Sequence, residues 1–183
     1  MERISRKPTL AQISHSYSCS CSKLLQLLLL LTTLALNSCQ TYSEEQKEAF
    51  SEEVEDYVHK HHLKTEKTET GLHYHIEVEG EGRTIKPTDR FILSYTGMLK
   101  DSTIFCQDTD TFKLHEEAAN KRVILGWREG LSFFKKGSKG FLVIPPHLGY
   151  LNKEINVKCD ETEATVIPEN SILIYEVEVL DVW

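Results

Sequence analysis

Few residues in this chain of 183 combine type and spacing in a way that suits covalent or metal chemistry. His59, His61 and His62 cluster, but a metal site there needs further ligands at fixed geometry, and nothing nearby in the sequence supplies them. Solvated histidines matched to a helix C-terminus are the plainer reading. His115-Glu116 opens like a zinc-protease motif, yet position 119 is alanine and the second histidine is missing. Gly80-Glu81-Gly82 lacks the third glycine of a dinucleotide fingerprint and opens no helix. No metal or cofactor is therefore expected. What stands out is the stretch Val123-Ile124-Leu125-Gly126-Trp127-Arg128-Glu129-Gly130-Leu131. Trp127, Leu131 and Phe134 fall at helical spacing, which puts three large apolar side chains on one face. A tryptophan in so short an element fills a core or floors a pocket. Lys135 and Lys136 are expected at the C-terminal end of this helix, where the dipole favours cations, with Gly137 closing it in a left-handed turn.

The elements that must position this helix are mostly strands. Leu72, Tyr74, Ile76 and Val78 alternate with polar residues, the period of a half-buried strand, and the same alternation puts His73 and His75 on an outward face. Phe91, Leu93 and Tyr95 open a second strand, and Gly140–Ile144 is a third, stopped by Pro145-Pro146. Leu173, Tyr175, Val177 and Val179 give the clearest alternation of all. Several strands, one helix and no βαβ rhythm imply an α+β fold on an antiparallel sheet. Ahead of it, Ser43-Glu44-Glu45-Gln46 has the form of a capping box, and apolar residues recur at helical spacing to about residue 62. The apolar face of this amphipathic helix needs a partner: the main domain, or a second copy in a homodimer through residues 43–62. Residues 64–70 read as a linker.

Composition limits the function classes. The chain is 40% hydrophobic and 27% charged with a net charge of -7, and it has no basic stripe with interleaved aromatics, so nucleic-acid binding is a poor reading. Arg3, Arg6, Lys7 and Lys23 precede the uncharged, leucine-rich run from Leu24 to Leu36, the pattern of a secretory signal rather than of a spanning helix. The run ends in Leu36-Asn37-Ser38-Cys39, which resembles a bacterial lipobox with Cys39 as the lipidated residue. A plain secretory signal is the alternative, because Asn37 is unusual there. Lipidation would anchor the protein by acyl chains. Gln40 after Cys39 resembles the sorting pattern for an outer membrane, so the expected location is the bacterial cell envelope, facing the periplasm. Removing residues 1–38 leaves 17 basic against 27 acidic residues.

In this order, the motifs of residues 71–183 resemble the FKBP family of peptidyl-prolyl cis-trans isomerases. They are Leu93-Ser94-Tyr95-Thr96-Gly97-Met98-Leu99-Lys100-Asp101, the turn ending at Phe105, the Val123–Leu131 stretch, Ile144-Pro145-Pro146, Leu148-Gly149-Tyr150 and Val166-Ile167-Pro168-Glu169-Asn170-Ser171-Ile172-Leu173. The resemblance implies a curved antiparallel sheet wrapped around one short helix, with a pocket between them. With the lipobox and the amphipathic helix, this divides the chain into three expected segments: a lipoprotein signal peptide (1–38), a tether with the amphipathic helix (39–70) and, by the resemblance, an isomerase domain (71–183). The resemblance also makes Trp127 the pocket floor and Tyr95, Phe105, Phe112 and Tyr175 its walls, with Val123 and Ile124 at the rim and Ile167 along the edge. The Ile124 N–H and the Tyr150 hydroxyl would bond substrate carbonyls. The substrates implied are proline-containing unfolded or nascent exported polypeptides, and the reaction needs no nucleophile, metal or cofactor.

Departures from the family pattern bear on activity. Cys106 stands where the family usually has an aspartate after Phe105, and Arg122 stands where an acid is expected before Val123. Leu151 replaces the usual glycine after Tyr150, and the loop from Tyr150 to Val166 is longer and more polar than usual. By the resemblance this loop overhangs the pocket rim, so Cys106 and Cys159 can pair as a disulfide; two unrelated thiols are the competing reading. Two functions stay open: a prolyl isomerase, or a binding and chaperone module on the same fold, such as an accessory lipoprotein of a secretion or gliding-motility apparatus.

Overall fold

The first helix begins where its cap dictates. The Ser43 side chain accepts from the Gln46 N–H at 3.2 Å, while the Gln46 side chain accepts from the Ser43 N–H at 2.9 Å. This reciprocal cap starts α1 (Glu44–Lys60), with Glu44 and Glu45 in its first turn and His59 and Lys60 in its last, as the helix dipole favours. The computed structural model describes residues 42–114, 123–159 and 164–183. The signal-peptide and Cys39 expectations, His115-Glu116 and Arg122 lie outside the described residues.

Six strands form the main sheet. They are β1 (Glu66–Lys67), β2 (His73–Val78), β4 (Arg90–Leu99), β5 (Ile104–Lys113), β7 (Lys139–Ile144) and β10 (Leu173–Val182). Their order is β1-β2-β7-β10-β4-β5, with every pairing antiparallel. The β10 strand is therefore central, pairing with β4 on one side and β7 on the other. Two short ladders flank the sheet, β3 (Glu81–Thr84) with β6 (Lys135–Lys136) and β8 (Ile155–Val157) with β9 (Thr165–Ile167). The inner face supplies Phe91, Leu93, Leu142, Ile144, Leu173, Tyr175, Val177 and Val179 to one apolar core. The short helix α2 (Leu125–Gly130) packs into it with Trp127, followed by Leu131 and Phe134, all three buried. Gly126 and Gly130 permit this close approach: a Cβ at Gly126 would sit 2.5 Å from Ile144, and one at Gly130 2.7 Å from Leu142.

The outer face of the sheet carries a second apolar cluster, where Val54 and Val58 of α1 pack with Val143, Ile172 and Ile174. Ion pairs from Glu53 to Lys100 and from Glu55 to Lys67 pin the same helix to the sheet's flank. The helix thus covers part of its own domain's sheet with its apolar stripe. The α+β architecture of a curved antiparallel sheet around a short helix is as expected.

Several local expectations need correction. His73 is buried at 5% exposure, because α1 covers the outward face that strand alternation gives it; its Nδ1 lies 2.9 Å from the Thr65 hydroxyl. Residues 64–70 are not a free linker, since Glu66 and Lys67 pair with Tyr74 and His73 as β1. The helix after Ile124 is shorter than the spacing predicts. It gives way at Leu131–Phe133 to a 3₁₀ turn, and Lys135 and Lys136 form β6 instead of capping it. Gly137 is left-handed, with φ +82°, but in the turn from β6 to β7.

Candidate active site

Between α2 and the inner sheet face lies a cluster of edge-on aromatic rings. Trp127 is at its base, 4% exposed, with ring centroids 4.8 Å from Tyr95, 5.3 Å from Phe112 and 5.0 Å from Tyr175. All three contacts are T-shaped, an arrangement that the ring quadrupoles favour. Phe105 meets Tyr175 edge-on at 5.6 Å. Backbone choice makes room for this, since a Cβ at Gly97 would fall 2.6 Å from the Phe105 ring. Strand β4 thus sets Tyr95, β5 sets Phe105 and Phe112, β10 sets Tyr175, and β9 sets the buried Ile167. Every aromatic that the sequence marks for the pocket, except Tyr150, joins this one ring system.

Val123 and Ile124 are buried at the entry to α2. Ile124 is extended, with φ -72° and ψ 160°, and its carbonyl accepts from the N–H groups of Trp127 and Arg128 at 3.2 Å each. Its own N–H has no acceptor among the described residues. Tyr150 follows a 3₁₀ turn, Pro146–Leu148, and its half-buried ring brings its hydroxyl to that of Tyr175. Burial raises the Tyr150 phenol above its usual value, and burial together with the Tyr150 oxygen raises that of Tyr175 still further. Both phenols are neutral hydrogen-bonding groups at ordinary pH.

Cys106 and Cys159 are joined in a disulfide, with Cα atoms 5.3 Å apart. Cys106 is buried opposite Gly97 in the β4–β5 ladder, and Cys159 follows β8. The Tyr95 oxygen lies 3.6 Å from the Cys106 sulfur. A disulfide sulfur has no hydrogen, so the phenol is the donor in this contact. At the base of the cluster the Trp127 Nε1 is buried without a partner among the described residues, an unmatched donor that sequence gives no means of seeing.

Residues 81–180 match the profile of the family described as FKBP-type peptidyl-prolyl cis-trans isomerase. The chain belongs to that family. Over 115 residues, this FKBP chain is 42% identical to a probable FKBP-type peptidyl-prolyl cis-trans isomerase of Haemophilus influenzae, a match covering 63% of this chain and 44% of that protein. Over 116 residues it is 38% identical to FkpA of Escherichia coli, covering 62% and 38% respectively. This chain spans less than half the length of either relative. The crystal structure of FkpA from Escherichia coli superposes with a TM-score of 0.57 at 30% identity, covering 88% of this chain and 72% of that one.

Sequence reasoning about this FKBP domain missed Tyr42 and His147. Tyr42 is buried against Phe50, with ring centroids 5.0 Å apart, and donates to Asn170 Oδ1 at 2.6 Å. An aromatic residue directly before a capping box is the signal that could have found it, because the residue before an N-cap often packs back on the helix. His147 stacks on Phe50 and donates from Nε2 to the Thr70 carbonyl at 2.8 Å. No local pattern announces that contact.

Proposed function

We propose that this chain isomerises X–Pro peptide bonds in proline-containing unfolded or newly translocated polypeptides at a bacterial cell envelope. The observation that carries the reading is the edge-on enclosure of Trp127 by Tyr95, Phe112 and Tyr175. A proline ring set against Trp127, between these walls and Phe105, leaves water behind. Rotation about the amide breaks no bond. Its barrier of about 18–20 kcal/mol comes from amide resonance, and the twisted form has the smaller charge separation. A dry apolar well therefore binds the transition state better than the planar ground state, which is catalysis by differential binding. The Ile124 N–H and the Tyr150 hydroxyl hold the carbonyls on either side, with Val123 and Ile167 shaping the edge. Each lowering of the barrier by about 1.4 kcal/mol gives a tenfold gain in rate.

A proline-limited refolding assay on residues 40–183 tests this against Trp127→Ala. The wild type should accelerate refolding and the variant should not; equal rates near the uncatalysed one would overturn the reading. A second reading is favoured by the Cys106–Cys159 disulfide, which stands where the family resemblance supplies a carboxylate. It makes the chain a binding and chaperone module, for example in a secretion or gliding-motility apparatus, and its signature is peptide binding without turnover.

Lipid anchoring at Cys39 belongs to the same proposal and rests on Leu36-Asn37-Ser38-Cys39. Mass spectrometry of the membrane-extracted protein should show loss of residues 1–38 and an acylated N-terminal cysteine; an unmodified N-terminus there refutes it. Self-association through residues 43–62 has less apolar surface to draw on, since Val54 and Val58 are already covered, and light scattering reads it directly.

A further inference from the structure

Leu151 and Asn170 both hold positive φ, +65° and +56°, although neither is glycine. Leucine rarely adopts this conformation, so something around it must hold it there. Leu151 directly follows Tyr150, whose hydroxyl the isomerase reading assigns to a substrate carbonyl. The Leu151 N–H donates to the Pro146 carbonyl at 3.1 Å, and its own carbonyl accepts from the Asn170 N–H at 3.0 Å. Asn170 is in turn held from outside the loop, where its side-chain oxygen accepts from the hydroxyl of buried Tyr42 at 2.6 Å. Phe50, which meets the Tyr42 ring edge-on, also stacks on His147 of the 3₁₀ turn that leads into Tyr150. The segment at the start of α1 therefore grips the Tyr150 loop from both sides, once through Asn170 and once through His147.

We infer that Tyr42 is a positioning residue for the isomerase site, holding the strained Leu151 turn so that Tyr150 presents its hydroxyl to the substrate. The inference rests on the isomerase reading. It makes the stretch before the FKBP domain a working part of the site in addition to a cover for the sheet. Where glycine would adopt the turn freely, leucine depends on an external hold, and Tyr42 supplies it.

The test uses Tyr42→Phe in the exported chain, which deletes only the hydroxyl. Amide exchange at Gly149 and Leu151, both donors to the Pro146 carbonyl, should speed up about tenfold, while exchange in β10 stays unchanged. With an X–Pro peptide as substrate, kcat should fall about three- to tenfold with KM nearly constant, the loss expected for one displaced hydrogen bond. In a Tyr150→Phe background the same substitution should cost almost nothing, and Leu151→Gly should restore most of the lost turnover. Unchanged exchange at Leu151 would overturn the inference, as would an equal loss of turnover in the Tyr150→Phe background. A wild type without turnover would overturn the isomerase reading, and the exchange measurement would still decide whether Tyr42 holds the loop.

Discussion

Cys106 is bonded to Cys159 across 53 residues of chain, tying the start of the β5 edge strand to the segment just after β8. A loop of that size restricts the unfolded chain strongly, and bridges of this kind stabilise by about 2–4 kcal/mol. Reduction, or the Cys106→Ser/Cys159→Ser pair, should lower the urea unfolding free energy by about that amount and leave the far-UV spectrum unchanged. Equal stability with and without reductant would mean that the bridge constrains little.

On the isomerase proposal Trp127 has two roles, core anchor and pocket floor, that substitution can separate. Trp127→Ala should cost about 3–5 kcal/mol, because it removes a large buried ring at the centre of the core. Trp127→Phe keeps most of the packing but changes the floor, so it should retain a cooperative unfolding transition while lowering isomerisation severalfold. Thermal melts and peptide turnover measured on the same preparations check both.

Gly126→Ala sets helix propensity against sterics. Alanine favours a helix by about 1 kcal/mol over glycine. Its Cβ would nevertheless come within 2.5 Å of the buried Ile144 side chain. Overpacking of this kind costs about 1–3 kcal/mol, so net destabilisation is expected, and Ile144→Val should partly relieve it. A more stable Gly126→Ala protein would show that α2 can shift away from β7.

A buried histidine, His73, and a half-buried one, His147, should make the fold sensitive to mild acid. Burial lowers the pKa of His73, and nearby Lys67 adds to this while Glu55 opposes it. Burial also lowers that of His147, with Lys47 adding to it and the Thr70 carbonyl, Glu129 and Glu44 opposing. Because their folded values lie below the unfolded one, near 6.5, the unfolded chain takes up protons first as pH falls. Stability is therefore complete above about pH 7 and declines as pH drops through 6.5 toward the lowered folded values. Each histidine contributes a slope of at most about 1.4 kcal/mol per pH unit. Urea midpoints measured from pH 8 to 5 should fall for the wild type and fall less steeply for His73→Gln, which leaves the His147 contribution in place.

Elements governed by neighbouring residues were legible in the sequence. The reciprocal Ser43–Gln46 cap marked α1 to within two residues, and the alternation from Leu173 to Val179 marked β10. The aromatic set around Trp127 was legible through family motifs, since spacing alone cannot tell a pocket wall from a core residue. What escaped depends on long-range contacts. His73 alternates like a surface residue and is buried because it sits beside Val143, on the face where α1 packs, with Thr65 and β1 alongside it. Lys135 and Lys136 look like a helix end and become a strand because β3 is there to pair with them. Tyr42 meets Asn170 across 128 positions, beyond any local pattern.

The order of strands has a consequence for how the chain folds. Among the described strands β10 comes last in the chain, and it joins β7 to β4. Until β10 is in place, the two halves of the sheet have no backbone partners across the gap. The second apolar cluster also waits for Ile172 and Ile174, so α1 cannot finish docking either. Such non-local pairing folds slowly and leaves strand edges open for longer. A chain proposed to help others fold thus depends, for its own sheet, on a strand that follows all the other described strands.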